Sequence, residues 1–277
     1  MGALSWAMSD VAQSRHDAWS AGDAYDHYMG RWSRAIATLF LDWVAPPPSC
    51  RWLDVGCGTG ALSAAIMQRC APTALHGVDP SEGFIARARL NVRDDRASFV
   101  VGGARELELV DSSVDFAVSG LVLNFVPDGA KAVNEMRRVV RAGGLVGFYV
   151  WDYPGGGVEF MRAFWSAAIA LDPSAADLSE AARFPFCTRE ALLELAADCG
   201  LRNPEGTALE APTVFADFDD FWRPFTLGAG PAPPGYCASR ATDARERLRQ
   251  RLLETLSAGA DGHIAMRVRA WAIKAVA

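Results

Sequence analysis

Apolar residues recur at helical spacing over residues 25–44, where Tyr28, Trp32, Ile36, Leu39, Phe40 and Trp43 share one side of a predicted helix. Arg31 and Arg34, three apart, share a face of the same helix. Pro46, Pro47 and Pro48 end it and set an extended approach to the next segment. Short apolar runs then alternate with amphipathic stretches. The run after Arg51 reads as a strand, followed by a helix to about residue 70. Residues 74–78, 98–101, 114–121 and 145–151 read as four more strands, the 114–121 run apolar on both sides as a buried parallel strand is. Residues 82–90 and 128–140 read as helices, the first capped by Ser81 and the second terminated by Gly143 and Gly144. This alternation predicts an open, mostly parallel α/β sheet.

The second half is less regular. Helices are predicted at 159–171, at 189–199 (closed by Gly200) and at 244–256, with strands at 205–214 and 263–273. Between them, residues 215–235 are crowded with aromatics and prolines, and residues 1–20 show no clear period. No internal repeat or low-complexity tail is visible.

Composition narrows the classes. The chain has 277 residues, a net charge of −6 and 51% hydrophobic residues, enough to bury a substantial core. The acidic balance argues against a nucleic-acid backbone or an anionic membrane as the main partner, so the arginines of 244–256 read as a solvated face. No signal peptide or spanning run is recognised, which leaves the cytoplasm as the expected location. Cys50, Cys57, Cys70, Cys187, Cys199 and Cys237 form no C-x-x-C pair, so no metal site is expected and the thiols read as isolated.

The chemistry concentrates at residues 51–62, where an apolar run carrying Asp54 ends in Gly56, Gly58 and Gly60 and a helix starts at once. Such a turn lets a ligand approach the backbone closely, and the helix start adds N–H groups and a positive dipole end. The spelling also satisfies the dinucleotide pattern G-x-G-x-x-A, a weak signal by itself. Asp54, two residues before the first glycine, would repel a pyrophosphate and attract an ammonium and a sulfonium, which points to S-adenosylmethionine. Asp79 lies 19 residues beyond Gly60, near the distance at which an acid takes ribose hydroxyls.

Leu53-Asp-Val-Gly-Cys-Gly-Thr-Gly60 resembles the first motif of the class I S-adenosylmethionine-dependent methyltransferases. In register behind it, Val78-Asp79-Pro80-Ser81 resembles the ribose motif, and the stretch from Gly102 through Gly103, Ala104 and Arg105 resembles the segment against adenine. Residues 116–128 resemble the fourth-strand motif, and residues 135–144 the helix and turn before strand five. The resemblance covers residues 50–150. Gly103 stands where the family often has an acid, which leaves adenine recognition to the Ala104 amide and its neighbours, and Asn124 stands where small-molecule members often have histidine.

The resemblance implies a Rossmann-like α/β fold with a seven-stranded, mostly parallel sheet, its last strand antiparallel, helices on both faces, and a helical, aromatic lid. It implies one methyltransferase domain, with a cap at 1–48, a cofactor-binding core at 49–152 and the remaining sheet at 153–277, carrying insertions near 153–186 and 215–262. Asp54, Gly56, Cys57, Gly58, Gly60, Asp79, Pro80, Gly103, Ala104 and Leu121 would hold S-adenosylmethionine, with Tyr28 and Arg31 or Arg34 meeting its carboxylate. The topology would bring Trp151, Asp152, Tyr153 and His263 to the ligand face. Asn124, Trp151, Phe164, Phe221 and Trp222 are substrate-side candidates, and Asp152 and His263 are candidate bases. The implied activity is methyl transfer to O or N of a small molecule by a monomer or homodimer, without metal, nucleic acid or membrane. The alternatives are C-, S- or arsenic methylation, a non-catalytic cofactor binder, and an NAD-dependent oxidoreductase.

Overall fold

The computed structural model describes residues 30–226 and 232–277. Helix α1 (Arg31–Val44) leads into β1 (Arg51–Val55), α2 (Ala61–Arg69), β2 (Ala74–Asp79), α3 (Glu82–Asn91), β3 (Ala97–Val101) and β4 (Val114–Gly120). Then come α4 (Gly129–Val139), β5 (Val140–Trp151), α5 (Glu159–Leu171), α6 (Glu180–Arg183), α7 (Arg189–Asp198) and β6 (Arg202–Phe215). The chain closes with α8 (Phe218–Trp222), α9 (Ala232–Ala238), α10 (Thr242–Thr255) and β7 (Ile264–Val276).

Side-chain caps start several helices where the sequence supplies an acceptor. The hydroxyl of Ser81 accepts from the Phe84 amide to start α3, and the Asp128 carboxylate accepts from the Lys131 amide to start α4. The seven strands form one sheet in the order β3-β2-β1-β4-β5-β7-β6. The first five run parallel; β7 is antiparallel to both neighbours. The carboxyl ends of β1 to β5 therefore share one edge, where such sheets bind ligands. Trp52 stacks on Phe116 across β1 and β4 with centroids 4.5 Å apart, and both are buried.

One expectation is corrected here. Gly143 and Gly144 do not end a helix; α4 stops at Val139, and the glycines lie within β5, beside a register shift against β4. A Cβ on Gly144 would lie 2.5 Å from the Asp115 carbonyl, so close strand contact, not helix capping, calls for glycine there. Aromatic residues of the segments expected as insertions pack into the core. β5 pairs with β7 as far as Trp151↔Ala270, whereas β6 and β7 stay paired to Phe215↔Ile264. The ribbon thus runs six residues past β5, roughly 20 Å at strand rise. Trp32 of α1 packs on it, with its ring 5.5 Å from Phe215 and 4.6 Å from Phe160. Phe164 stacks on Phe225 at 4.5 Å, and Phe221 contacts both Phe215 and Phe225. These rings are buried and form a second core layer within ordinary aromatic packing distances.

All six cysteines are free and buried. Among the described residues, no helix is long and apolar enough to cross a membrane, and no group of three or more His, Cys, Asp or Glu is placed to hold a metal ion.

Candidate active site

The glycine turn is held from below by β2. The amides of Gly56 and Cys57 donate to the Val78 carbonyl at 2.7 and 3.0 Å, and the Gly58 amide donates to Asp79 Oδ2 at 3.0 Å. Gly56 has φ +70°, and any Cβ there would run into Val122 from the end of β4. Both facts require glycine. A Cβ at Gly58 or Gly103 would meet nothing within 4 Å, so both backbones are open to an incoming group.

Above the turn lies a cavity of about 450 Å³ at the carboxyl ends of β1 to β5, a size typical of small-molecule sites. Asp54, Gly56, Cys57 and Gly58 line one side, Asp79, Pro80 and Ser81 another, and Gly103, Ala104 and Arg105 the end beyond β3. Leu62, Phe84, Leu121, Val122, Phe125 and Pro127 make the rest largely apolar, with Ser33 and Tyr149 as polar exceptions.

Two buried acids set the electrostatics. Asp54 is 1% exposed and accepts from Ser63 Oγ at 2.6 Å. Burial pushes its carboxyl up to about 7, against the Ser63 hydrogen bonds and with the help of nearby Asp79. Asp79 accepts from the Gly58 amide on one oxygen and, at 2.9 Å, from the Ser81 amide on the other. Burial also raises its carboxyl above the usual range. Each Asp79 oxygen keeps a second acceptor position, so the pair of oxygens suits a vicinal diol. Two under-solvated carboxylates repel a pyrophosphate and attract a cation, worth about 4 kcal/mol for charges 4 Å apart at an effective dielectric of about 20. An open glycine backbone, a diol acceptor and a buried acid fit a cationic nucleoside such as S-adenosylmethionine.

A family profile described as "Methyltransferase domain" matches residues 53–148. The chain is 30% identical over 246 residues to the malonyl-[acyl-carrier protein] O-methyltransferase of Geobacter sulfurreducens, across 87% of this chain and 88% of that protein. The chain belongs to the class I S-adenosylmethionine-dependent methyltransferases. A demethylmenaquinone methyltransferase of Roseiflexus is 38% identical over 120 residues, covering 40% of this chain and 50% of its own length. Among solved structures, the phosphoethanolamine N-methyltransferase 2 of Haemonchus contortus, bound to S-adenosylhomocysteine, shares the fold at a TM-score of 0.54 and 19% identity. That likeness covers 92% of this chain and 56% of the other. The antiparallel β7 between β5 and β6 separates this methyltransferase sheet from the all-parallel dinucleotide order.

In the methyltransferase, Asp54, Gly56, Cys57, Gly58, Asp79, Pro80, Gly103, Ala104 and Leu121 converge on the cavity. Gly60 sits behind it, with φ +89°, as the N-cap of α2. A Cβ on it would come 3.3 Å from Val92, so it serves helix packing. Tyr28 and the Arg31 side chain lie outside the described residues, and Arg34 is exposed on α1.

The substrate-side candidates are not brought to the cavity. Asn124 is buried and does not line the cavity, although its neighbour Phe125 does. Trp151 is buried in the core, Phe164 and Phe221 belong to the aromatic layer, and partly buried Trp222 packs against Phe225. Asp152 is held by Arg269, whose Nη2 approaches it to 2.6 Å, and it accepts from the Gly155 amide at 2.9 Å. That pairing anchors the turn after β5, and Asp152 does not line the cavity. His263 pairs with Asp261 at 3.0 Å in a separate surface depression at the far end of the ribbon. The cavity instead uses Ser33, Phe84, Val122, Phe125 and Tyr149. Of these, Phe125 lies within the fourth-strand motif, while Tyr149 lies in an apolar strand that gives no sign of its role in the sequence.

Proposed function

We propose that this methyltransferase moves the methyl of S-adenosylmethionine to an oxygen or nitrogen of a small molecule. The observation that carries the reading is the pair of buried acids, Asp54 and Asp79, on either side of an open glycine turn in an apolar cavity. When bound, S-adenosylmethionine supplies an electrophilic methyl on a cationic sulfur. Asp79 would hold the ribose hydroxyls, the Gly103–Ala104 backbone the adenine edge, and ionised Asp54 the cationic end. Leu62, Leu121, Val122 and Phe125 would exclude water and fix the approach, the main needs of an in-line displacement.

An oxygen acceptor is supported by the kinship with the malonyl-[acyl-carrier protein] O-methyltransferase. A closing role for the insertions is supported at one place. Phe184, from the segment after β5, packs edge-on against the cavity residue Phe125 with centroids 5.2 Å apart. The insertions would then shape the acceptor end from behind, as the outer part of one functional unit.

Calorimetric titration with S-adenosylmethionine, S-adenosylhomocysteine and NADH, each alone, tests the cofactor. Micromolar binding of the first two without NADH is expected. NADH binding without the other two would sink the reading.

A further inference from the structure

We propose that the Tyr149 hydroxyl positions the transferable methyl by contacting the charged donor, an inference that rests on the S-adenosylmethionine reading of the cavity. Tyr149 on β5 lies directly across from Gly120 on β4. A Cβ on Gly120 would lie 2.5 Å from the phenol oxygen and 2.7 Å from the ring carbon that bears it. The phenol therefore fills the place of the side chain that Gly120 lacks. Phe40 of α1 backs the ring with centroids 4.8 Å apart, and Tyr149 itself is 2% exposed.

The strand end that carries this arrangement is set in an uncommon shape. Leu121 takes φ +63°, sparsely populated for a leucine, and its amide donates to the Tyr149 carbonyl at 2.8 Å. The same turn drives Val122 into the space over Gly56. Such conformations persist where the surroundings enforce them, and they cluster at functional sites.

Position along the sheet gives the phenol its task. The adenine, ribose and ammonium anchors lie at the ends of β3, β2 and β1, which are successive strands. The next strands are β4 and β5, so a donor laid across those anchors presents its methyl toward Gly120 and Tyr149. A phenol oxygen carries two acceptor lone pairs. A methyl on cationic sulfur has polarised C–H bonds that such an oxygen attracts. The demethylated thioether product offers neither the charge nor the methyl. Tyr149 should therefore distinguish donor from product, which a merely space-filling ring would not.

The test is calorimetry on the full chain and on Tyr149→Phe, with S-adenosylmethionine and S-adenosylhomocysteine titrated separately and folding checked by thermal melts. The expected result is a roughly two- to fivefold weaker Kd for S-adenosylmethionine with S-adenosylhomocysteine changed less than about 1.5-fold. Equal losses for both ligands, or no loss, overturn the proposal. Binding of neither ligand to the unaltered chain would overturn it together with the cofactor reading, and is told apart by that control. Gly120→Ala is the second variant. Its added methyl displaces the phenol while leaving Tyr149 in the chain, so the same donor-selective loss is expected and its absence counts against the proposal.

Discussion

Asp54 is the residue whose burial has the widest consequences. Its carboxyl, raised to about 7 chiefly by desolvation, is largely neutral in the empty site at pH 6. A cationic ligand binds the ionised form, so affinity for S-adenosylmethionine should rise from pH 5.5 to about 7 and then level off, with at most a tenfold change per pH unit. Stability runs the other way. The folded state holds this proton more tightly than an unfolded chain, whose aspartates titrate near 3.9. The stabilisation from this group is full below about pH 4 and is lost as pH rises through about 7. Asp54→Asn should remove both dependences, as calorimetry across pH and melts without ligand would show; an unchanged pH profile of affinity would take the cationic contact away from Asp54. Asp79→Ala should weaken S-adenosylmethionine binding by roughly 1–3 kcal/mol, the cost of leaving the diol without its partners. An unaltered Kd would rule out the ribose role. At this scale the sequence was most readable, because an acid before a glycine turn and a second acid after the next strand each have few uses. Tyr149 was not readable, because its task depends on Gly120, 29 positions earlier and one strand across.

At the scale of elements, the end of β5 shows what the sequence alone could not tell about Asp152. Order along the chain places that carboxylate at the ligand edge, but only the antiparallel register of β7 brings Arg269 beside it. The Asp152 side chain is 2% exposed, against 31% for Arg269. Removing the arginine would leave a buried charge without its partner, and Arg269→Ala should cost on the order of 3 kcal/mol of stability by denaturant unfolding. Asp152→Asn keeps an acceptor for the Gly155 amide and should retain methyl transfer in any assay that the unaltered enzyme supports. A large fall in turnover at full folding would instead return Asp152 to the role of base. The strands and helices of 50–150 were legible because each short apolar run had a turn or cap beside it. The long β6–β7 ribbon was legible as two strands, but nothing in their spacing told how far they run past β5.

For the whole molecule, the aromatic layer decides how the two halves depend on each other. Adjacent residues of α1 join them: Trp32 packs into the layer while Ser33 lines the cavity. Aromatic composition at 215–235 suggested a cover over the site, since a cluster of rings with no clear period does not reveal which surface it packs against. The structure buries Phe221 and Phe225 completely, against Phe160, Phe164 and Phe215. A separable cover could be deleted with loss of turnover and little effect on cofactor binding. A core layer cannot, so removing 215–235 should abolish cooperative folding. Phe225→Ala is the gentler probe. Large-to-small changes at buried phenylalanines cost about 3–5 kcal/mol, which for a chain of this size lowers Tm by on the order of 10 °C. Melts of this variant with and without S-adenosylhomocysteine would separate the two ideas. A core role predicts the drop in both, with ligand still raising Tm, whereas an unchanged Tm without ligand would restore the simple cover.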